Sequence, residues 1–253
     1  MTMRDYLERK RRVILGSKRF FMPSGLSAAN CLAAYQFKGV ASEAAALQDL
    51  SGNGRNLTKH SQTSSGVTYT PSWNTATGFT FAAVYQGLCG YLNNASLNAQ
   101  SIKCAIVRYQ DMTLNNRGWL ITAGGSDGLA QLAGACTTYK DGSTDNHVGP
   151  GYTSTKTSWR YITTRYTEGV VGANFGASDG LFVNGSKKTN TLISGCAAVQ
   201  DQQTWHTFGN VHAPMSDLNN AVHAGKKILC AAFFDVALTA DQHAEVAAAM
   251  AEI

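Results

Sequence analysis

Residues 227–234 read KILCAAFF, and this stretch decides the class of the fold. Seven of its eight side chains are apolar, so neither side of the segment offers a polar face to water. A continuous apolar run of about 4 to 8 residues is typical of a strand that is covered on both faces. The sequence therefore predicts a central strand that is buried on both sides.

Other short segments of the chain also have the length and spacing of strands. In residues 158–166 the side chains form two sets that alternate residue by residue, as the two faces of a strand require. Asn184-Gly185 lies between two short segments, as the turn of a β-hairpin does. The predicted strands are 31–37, 78–85, 101–109, 118–123, 131–139, 158–166 and 227–234. Turn signals recur between them, with neither βαβ spacing nor an internal repeat. This pattern favours an all-β fold, an antiparallel β-sandwich or jelly roll.

A short helix is predicted at the C-terminal end. Thr239 and Gln242 have the spacing of a capping box, whose side chains bond the free backbone N–H groups of a first turn. The helix is expected to run to about Met250. With 253 residues, of which 15% are charged, the composition fits one β-rich domain over residues 25–253.

The basic residues are concentrated at the N-terminal end. Residues 1–22 hold seven basic and two acidic side chains, so their net charge of +5 equals that of the whole chain. Thr2 and Asp5 have capping-box spacing, and residues 3–15 are predicted to form a helix. Residues 1–24 are therefore interpreted as a basic helical docking arm on a neutral body.

The cysteines and the apolar runs indicate where the protein is made. Six cysteines lie far apart without a Cys-x-x-Cys motif, which favours buried free thiols, although an even count also permits disulfides. An export signal would need about 7 to 15 apolar residues, but polar and charged residues directly follow Leu15. We therefore expect no cleaved export signal and no membrane-spanning segment.

Three pairs of motifs, taken in order, resemble concanavalin A-like, laminin G-like jelly-roll domains. They are AYQFKG (34–39) with DLSGNG (49–54), WRYIT (159–163) with GLFVNG (180–185), and ILCAAFF (228–234) with DVALTADQ (235–242). The resemblance spans residues 31–250 and implies an antiparallel β-sandwich. Because this fold carries lectins, glycosidases and structural modules, the resemblance says little about function.

The segment DLSGNG at residues 49–54 has the composition of a metal loop, a phosphate loop or a turn. An EF-hand loop would need a bidentate Glu where His60 stands, and the Gly-Lys-Ser/Thr of a phosphate loop is missing. The favoured interpretation is a turn in which Asp49 and Asn53 bond nearby backbone amides and the glycines adopt positive φ. Calcium held by Asp49 and Asp235 is the alternative, and we otherwise expect no cofactor.

The usual signatures of catalysis are weak in this sequence. Residues 124–128 match G-x-S-x-G, but residues 129–139 fit a returning strand better than the helix of a nucleophile elbow. The five glutamates are too far apart to give the paired carboxylates of a retaining glycosidase, and the six histidines show no H-E-x-x-H spacing. We therefore expect that the protein is not an enzyme; a hydrolase built on separate aspartates is the alternative.

Sugar binding needs an exposed aromatic ring beside amide or carboxylate groups in loops. The candidate residues are Trp119, Trp205 and Asn210. Because sandwich cores also use tryptophan, burial in the core is the favoured interpretation for each of the two rings.

The basic arm is interpreted as an assembly segment that combines basic and apolar anchors. These are Leu7, Arg9, Lys10, Arg11, Arg12, Val13, Ile14, Lys18, Arg19 and Phe20. No aromatic residue lies within the basic run Arg9–Arg12, so nucleic acid is not the favoured partner.

An unexported sandwich with a docking arm resembles a bacteriophage virion component made in the host cytoplasm. The expected role is a tail or baseplate appendage or a capsid decoration. Its partners would be other virion proteins, its own copies and cell-surface glycans. The alternatives are a free carbohydrate-binding lectin and a polysaccharide hydrolase.

Overall fold

The structure is a computed structural model, and it describes residues 14–15, 18–19, 22–64, 66–81, 87–91, 101–110, 117–123, 135–139, 162–163, 168–175, 180–187, 205–209 and 226–253. The strands within these residues are β1 (Ile14–Leu15), β2 (Lys18–Arg19), β3 (Cys31–Gln36), β4 (Leu57–His60), β5 (Gln62–Ser64), β6 (Val67–Tyr69), β7 (Ser72–Asn74), β8 (Gly78–Phe81), β9 (Gly87–Tyr91), β10 (Cys104–Gln110), β11 (Arg117–Ala123), β12 (Ala135–Tyr139), β13 (Ile162–Thr163), β14 (Gly169–Asn174), β15 (Leu181–Val183), β16 (Ser186–Lys187), β17 (Trp205–Gly209) and β18 (Lys226–Phe234). The helices are a 3₁₀ helix (Ala28–Asn30), α1 (Glu43–Ala46) and α2 (Ala240–Ala251). The all-β prediction is confirmed, and each predicted strand overlaps an observed one.

Strand β18 is the centre of an eight-stranded antiparallel sheet. The strand order is β16-β15-β14-β10-β18-β8-β7, and β3 also pairs with β18. Strand β10 pairs along one side of β18, while β8 and β3 share the other side. Three strands therefore form hydrogen bonds with the KILCAAFF segment.

The prediction that β18 is buried on both faces is confirmed. Ala231 and Phe233 belong to a first apolar cluster, whereas Ala232 and Phe234, which alternate with them, belong to a second cluster. All four side chains are at most 1% exposed. The sheet must therefore be covered on both sides.

A six-stranded sheet covers the first cluster. Its order is β13-β12-β11-β17-β9-β4, and its neighbours are antiparallel except for the parallel pair β12 and β13. Leu57 of β4 and Leu88 of β9 pack in the first cluster with Tyr35 and Phe79 of the eight-stranded sheet. The two sheets are thus the layers of a β-sandwich with this core between them.

Helix α2 and the segment 22–26 cover the second cluster. Val246 and Met250 of α2 pack there. Arg108 of β10 donates from Nη1 to the carbonyl oxygens of Met250 (2.7 Å) and Ala251 (2.9 Å), which caps the C-terminal end of α2. The eight-stranded sheet therefore lies between the six-stranded sheet and α2.

Helix α2 begins where the capping box predicts. The N–H of Gln242 donates to Oγ1 of Thr239 at 3.2 Å, and the N–H of Thr239 donates to Oε1 of Gln242 at 2.9 Å. These reciprocal bonds satisfy two backbone donors at the helix start. Among the described ranges, no helix combines the length and the apolar character that crossing a bilayer requires.

The predicted N-terminal helix is wrong at its C-terminal end. Ile14–Leu15 and Lys18–Arg19 form an antiparallel pair in which Ile14 lies opposite Arg19. The β-branched Ile14 favours a strand, and the Gly-Ser sequence at 16–17 is typical of a two-residue turn. The other predicted docking residues lie outside the described residues: Leu7, Arg9, Lys10, Arg11, Arg12, Val13 and Phe20.

Three of the cysteines are buried free thiols, as predicted: Cys31, Cys104 and Cys230. Burial raises the pKa of Cys230 to about 12 and raises the pKa of Cys31 well above its usual value, so both remain protonated near neutral pH.

The hairpin turn predicted at Asn184-Gly185 is present between β15 and β16. The φ angles are +51° at Asn184 and +75° at Gly185, the pair of positive values that a type I′ turn needs. The N–H of Val170 donates to Oδ1 of Asn184 at 2.8 Å, which ties the turn to β14. A Cβ at position 185 would lie 2.7 Å from Cα of Ala244, so the turn also packs closely against α2.

We expect Gly185→Ala to destabilise the protein more than the matched control Gly54→Ala. Both positions have positive φ, which costs a non-glycine residue about 1–2 kcal/mol. Only at Gly185 does the new methyl group meet backbone, because nothing lies within 4 Å at Gly54. The free energies of unfolding, measured in urea, should differ by about 1–3 kcal/mol. Equal losses would contradict the close packing of α2 on this turn.

Candidate functional site

The turn at residues 49–54 is organised around the carboxylate of Asp49. Its Oδ1 accepts hydrogen bonds from the backbone N–H groups of Ala34 (3.0 Å) and Ser51 (2.9 Å). Its Oδ2 accepts from Oγ of Ser51 (2.7 Å) and from the N–H of Arg55 (3.1 Å). Both glycines of the turn have positive φ. The interpretation of this segment as a turn is confirmed.

The same turn covers the edge of β3 that faces away from β18. Asn53 donates from Nδ2 to the carbonyl oxygen of Leu32 at 3.1 Å. The sequence predicted instead that this side chain would bond nearby backbone amides. Arg55 donates from Nη1 to the same carbonyl oxygen, and the N–H of Leu50 donates to the carbonyl oxygen of Ala34 at 2.7 Å. A covered edge cannot pair with another chain, so the role of the turn is structural.

Calcium binding by Asp49 and Asp235 stays a prediction. The carboxylate of Asp49 already accepts four hydrogen bonds, and Oδ1 of Asp235 accepts one from Nδ2 of Asn30 at 3.1 Å. Calcium takes about six to eight oxygen ligands. Across the described ranges, no three His, Cys, Asp or Glu side chains cluster as metal ligands would. A calcium ion would therefore compete with the hydrogen bonds that form the turn.

His243 of α2 is buried against the eight-stranded sheet. Its ring stacks on Phe182 with the ring centroids 3.7 Å apart, and a Cβ at Gly172 would lie 2.5 Å from its Nδ1. Its Nε2 donates to Oδ1 of Asn174 at 3.1 Å, since an amide oxygen can only accept. Asn174 also accepts from the N–H of Leu238 (3.0 Å) and donates to its carbonyl oxygen (2.7 Å). His243 is therefore a core histidine that fixes α2 to β14.

Cys104 completes a set of residue types, Cys, His and Asn, that some nucleophilic enzymes use. Its Sγ lies 3.9 Å from Nε2 of His243. A catalytic histidine contacts its nucleophile through one ring nitrogen and its orienting residue through the other, whereas here Cys104 and Asn174 both approach Nε2. Cys104 is 0% exposed, and burial lowers the pKa of His243 to about 3. This cluster is therefore a structural contact.

The two candidate sugar-binding tryptophans, Trp119 and Trp205, lie at opposite ends of one strand pair. Strands β11 and β17 pair over three residues of each strand. Trp119 lies beyond one end of this ladder, opposite Thr137 of β12, and Trp205 lies beyond the other end, opposite Tyr91 of β9. Asn210 lies outside the described residues.

The register of the six-stranded sheet separates core positions from positions on its other face. Leu57 and Leu88 are buried in the first cluster, but Thr58, which follows Leu57, is exposed. Because positions alternate between the faces of a sheet, residues in register with Thr58 share its face. We call this set the threonine row: Thr58, Cys89, Thr207, Thr122 and Ala135. At the next position of the same face, Tyr91 lies directly opposite Trp205, and we call this pair the aromatic row.

Comparison with known proteins shows a likeness of fold alone. No family model and no curated protein matches the sequence. A Trypanosoma rangeli sialidase, in complex with 2,3-difluorosialic acid as a covalent intermediate, has a TM-score of 0.59 and 11% identity over 89% of this chain and 34% of that chain. The receptor-binding domain of a botulinum neurotoxin C/D mosaic serotype has a TM-score of 0.53 and 15% identity over 88% of this chain and 52% of that chain. This chain thus spans between a third and about half of those chains.

The expectation that the protein is not an enzyme is overturned by these comparisons. Several of the similar structures are sialidases, including complexes with sialic acid and with the inhibitor DANA. The fold is therefore found within chains that catalyse, and weak sequence signatures are not sufficient to exclude a hydrolase. At 10–11% identity the likeness transfers no catalytic residue to this chain.

We expect acid to destabilise the protein through His243. The pKa of histidine in an unfolded chain is about 6.5, and burial lowers the pKa of His243 to about 3. The contribution of the neutral ring to stability is therefore complete above pH 6.5 and is lost progressively as the pH falls towards 3, by about 4–5 kcal/mol in total.

Urea unfolding between pH 7 and pH 4 measures this loss. His243→Gln is the control, because it keeps an amide donor for Asn174 and does not titrate. Its stability should depend less on pH than that of the wild type. The same pH dependence in both proteins would contradict the assignment.

Proposed function

We propose that the protein is a carbohydrate-binding β-sandwich module attached to a larger assembly by its basic N-terminal segment. The observation that carries the binding part is the division of the sheet faces. The eight-stranded sheet has a buried cluster on each face, whereas Thr58, on the face of the six-stranded sheet that lies away from the first cluster, is exposed. The fold likeness to a sialidase that has been solved with sialic acid supports a carbohydrate as the ligand class.

The face of the six-stranded sheet that carries Thr58, which we call the Thr58 face, also carries by register the residue types that sugars require. A pyranose presents C–H groups to aromatic rings and hydroxyl groups to short polar side chains. The aromatic row supplies the first type and the threonine row the second. Trp205 is therefore supported by both the sequence and the register, while Trp119 and Asn210 are proposed from the sequence.

We expect the wild-type protein to bind a subset of a glycan array that contains neutral and sialylated sugars, and Trp205→Ala to bind more weakly. Trp73→Phe is a matched control, because Trp73 belongs to the other sheet and donates from Nε1 to the carbonyl oxygen of Phe37 at 2.7 Å. Its binding should equal that of the wild type. Failure of the wild type to bind any glycan would contradict the proposal. Assay of the same samples for released sugar tests for hydrolase activity.

The attachment part of the proposal rests on where the basic segment leaves the sandwich. The N–H of Ser24 donates to Oε2 of Glu245 at 2.7 Å, and Nε2 of Gln242 donates to the carbonyl oxygen of Ser24 at 2.8 Å. Met22 is buried in the second cluster. Residues 22–26 therefore lie on α2, on the opposite side of the sandwich from the six-stranded sheet. A partner that holds the basic segment would leave the Thr58 face directed outward.

The finer proposal is that the assembly is a bacteriophage virion assembled in the host cytoplasm. The protein would be a tail or baseplate appendage or a capsid decoration, in contact with other virion proteins and with its own copies. The concentration of positive charge in residues 1–22 supports a docking role for this segment. The Thr58 face would then meet glycans of the host surface.

We expect deletion of residues 1–20 to abolish incorporation into particles while the sandwich still folds, because the truncated protein keeps Met22 and Leu26, which pack with residues of α2 in the second cluster. Arg11→Glu with Arg12→Glu should weaken incorporation, whereas Lys103→Glu with Lys187→Glu makes the same charge change at exposed positions of the body and should not. Sedimentation of particles followed by quantification of the bound protein measures the effect. Wild-type incorporation of the truncated protein would count against the docking role.

A further inference from the structure

We propose that Asn184, in the turn between β15 and β16, is a site of spontaneous deamidation that the fold promotes, whereas the fold protects Asn53, which has the same Asn-Gly sequence. The reaction converts the side-chain amide into a carboxylate and so adds one negative charge to the turn that packs on α2. It needs only water, so the inference is independent of the proposed carbohydrate binding.

Deamidation begins when the backbone nitrogen of the next residue attacks Cγ of the asparagine side chain. The nitrogen loses its proton, a bond from this nitrogen to Cγ forms, and Oδ1 gains negative charge. The bond from Cγ to Nδ2 then breaks and ammonia leaves, which gives a cyclic imide. Water opens the imide either to aspartate or to isoaspartate, in which the main chain runs through the former side chain. A glycine in the next position favours the attack, because it has no Cβ to obstruct its nitrogen.

Two Asn-Gly pairs occur in the sequence, Asn53-Gly54 and Asn184-Gly185. Both asparagines are exposed, so water reaches each of them. Within the part of the chain that the structure describes, the N–H of neither glycine has a hydrogen-bond acceptor. Both glycine nitrogens are therefore available for the attack, and the two sites differ in how the fold holds the side-chain amide.

At Asn184 the fold holds the oxygen of the amide. The N–H of Val170 donates to Oδ1 at 2.8 Å, and Val170 is buried in the second cluster. A Cβ at Gly169 would lie 2.7 Å from the same oxygen, so the amide lies directly against β14. A fixed N–H donor at an oxygen that gains negative charge stabilises the transition state more than the ground state. The aspartate product keeps an acceptor for the N–H of Val170.

At Asn53 the fold instead holds the nitrogen of the amide, which is the leaving group. Nδ2 donates to the carbonyl oxygens of Cys31 (2.9 Å) and Leu32 (3.1 Å) and to Oγ of Ser51 (3.0 Å). These acceptors favour the intact amide, because an aspartate here would direct an oxygen, which has no proton to donate, at two carbonyl oxygens. The fold therefore slows deamidation at Asn53.

Ageing of the folded protein at 37 °C and pH 8.5, followed by peptide mass mapping, measures both rates in one sample. The reference is the same protein aged in guanidinium chloride, where neither turn exists and the two Asn-Gly pairs should react at similar rates. We expect folding to slow Asn53 about ten-fold or more, and to leave Asn184 at or above its rate in the unfolded chain. A rate at Asn184 that falls on folding, or equal rates at the two sites in the folded protein, would overturn the inference.

Two variants test the cause of the difference. Ser51→Ala removes one acceptor from Nδ2 of Asn53, so it should speed deamidation at Asn53 and leave Asn184 unchanged. Asn184→Gln is the control for the assignment of the modified peptide and should stay unmodified, because its longer side chain closes the imide ring far less readily. An unchanged rate at Asn53 in the Ser51 variant would overturn the protective role of these hydrogen bonds.

The two products at position 184 should differ in stability. Isoaspartate lengthens the main chain of the turn by one CH₂ group, although a Cβ at Gly185 would already lie 2.7 Å from Cα of Ala244. Asn184→Asp should therefore unfold at nearly the wild-type urea concentration. The aged fraction that protein isoaspartyl methyltransferase labels should unfold at a lower one. Equal midpoints for all three forms would overturn the predicted effect on α2.

Discussion

Strand β18 has no polar face, and the rest of the molecule is arranged to keep water away from both of its sides. Ala231 and Phe233 require cover on one face, and Ala232 and Phe234 require it on the other. Burial of apolar surface is the main favourable term in folding, so a single sheet could not stabilise this segment. The six-stranded sheet supplies one cover and helix α2 the other. The order of layers therefore follows from one eight-residue stretch of sequence.

The cover by α2 depends on close contacts that leave little room for variation. His243 approaches β14 so closely that Gly172 has no space for a side chain. Ala244 likewise leaves no space for a side chain at Gly185. Arg108 caps the far end of the helix, and the His243–Asn174 hydrogen bond fixes its near end. These contacts join residues that are far apart in sequence, so the docked position of the helix depends on the strands of the eight-stranded sheet.

The sequence predicted the elements whose signals are local. KILCAAFF, the Asn184-Gly185 turn and the Thr239–Gln242 capping box each depend on neighbouring residues, and each is present in the structure. Strand β14 was missed because the two glycines of GVVGAN look like turn signals, whereas Gly172 is required by the ring of His243. Strand β9, GLCGY, was missed for a similar reason. Because β9 was missed, Tyr91 could not be paired with Trp205 from the sequence.

Trp205 and the basic segment were each found from the sequence, but their surroundings depend on the fold. Trp205 was found from its residue type, but its partner depends on the register of β9 and β17. The basic segment was found from its charge, but its exit beside α2 depends on hydrogen bonds of Ser24 with Glu245 and Gln242. Together they support our proposal that the sandwich presents a sugar-binding face on the side opposite its attachment.

Chemical-shift mapping tests this claim most directly. In ¹H–¹⁵N spectra of the labelled protein titrated with a disaccharide, we expect shifts that cluster at Thr58, at residues 89–91 and at residues 205–207. The amides of α2 (Ala240–Ala251) should not move. Shifts confined to α2 or to residues 22–26, with none in the six-stranded sheet, would contradict it.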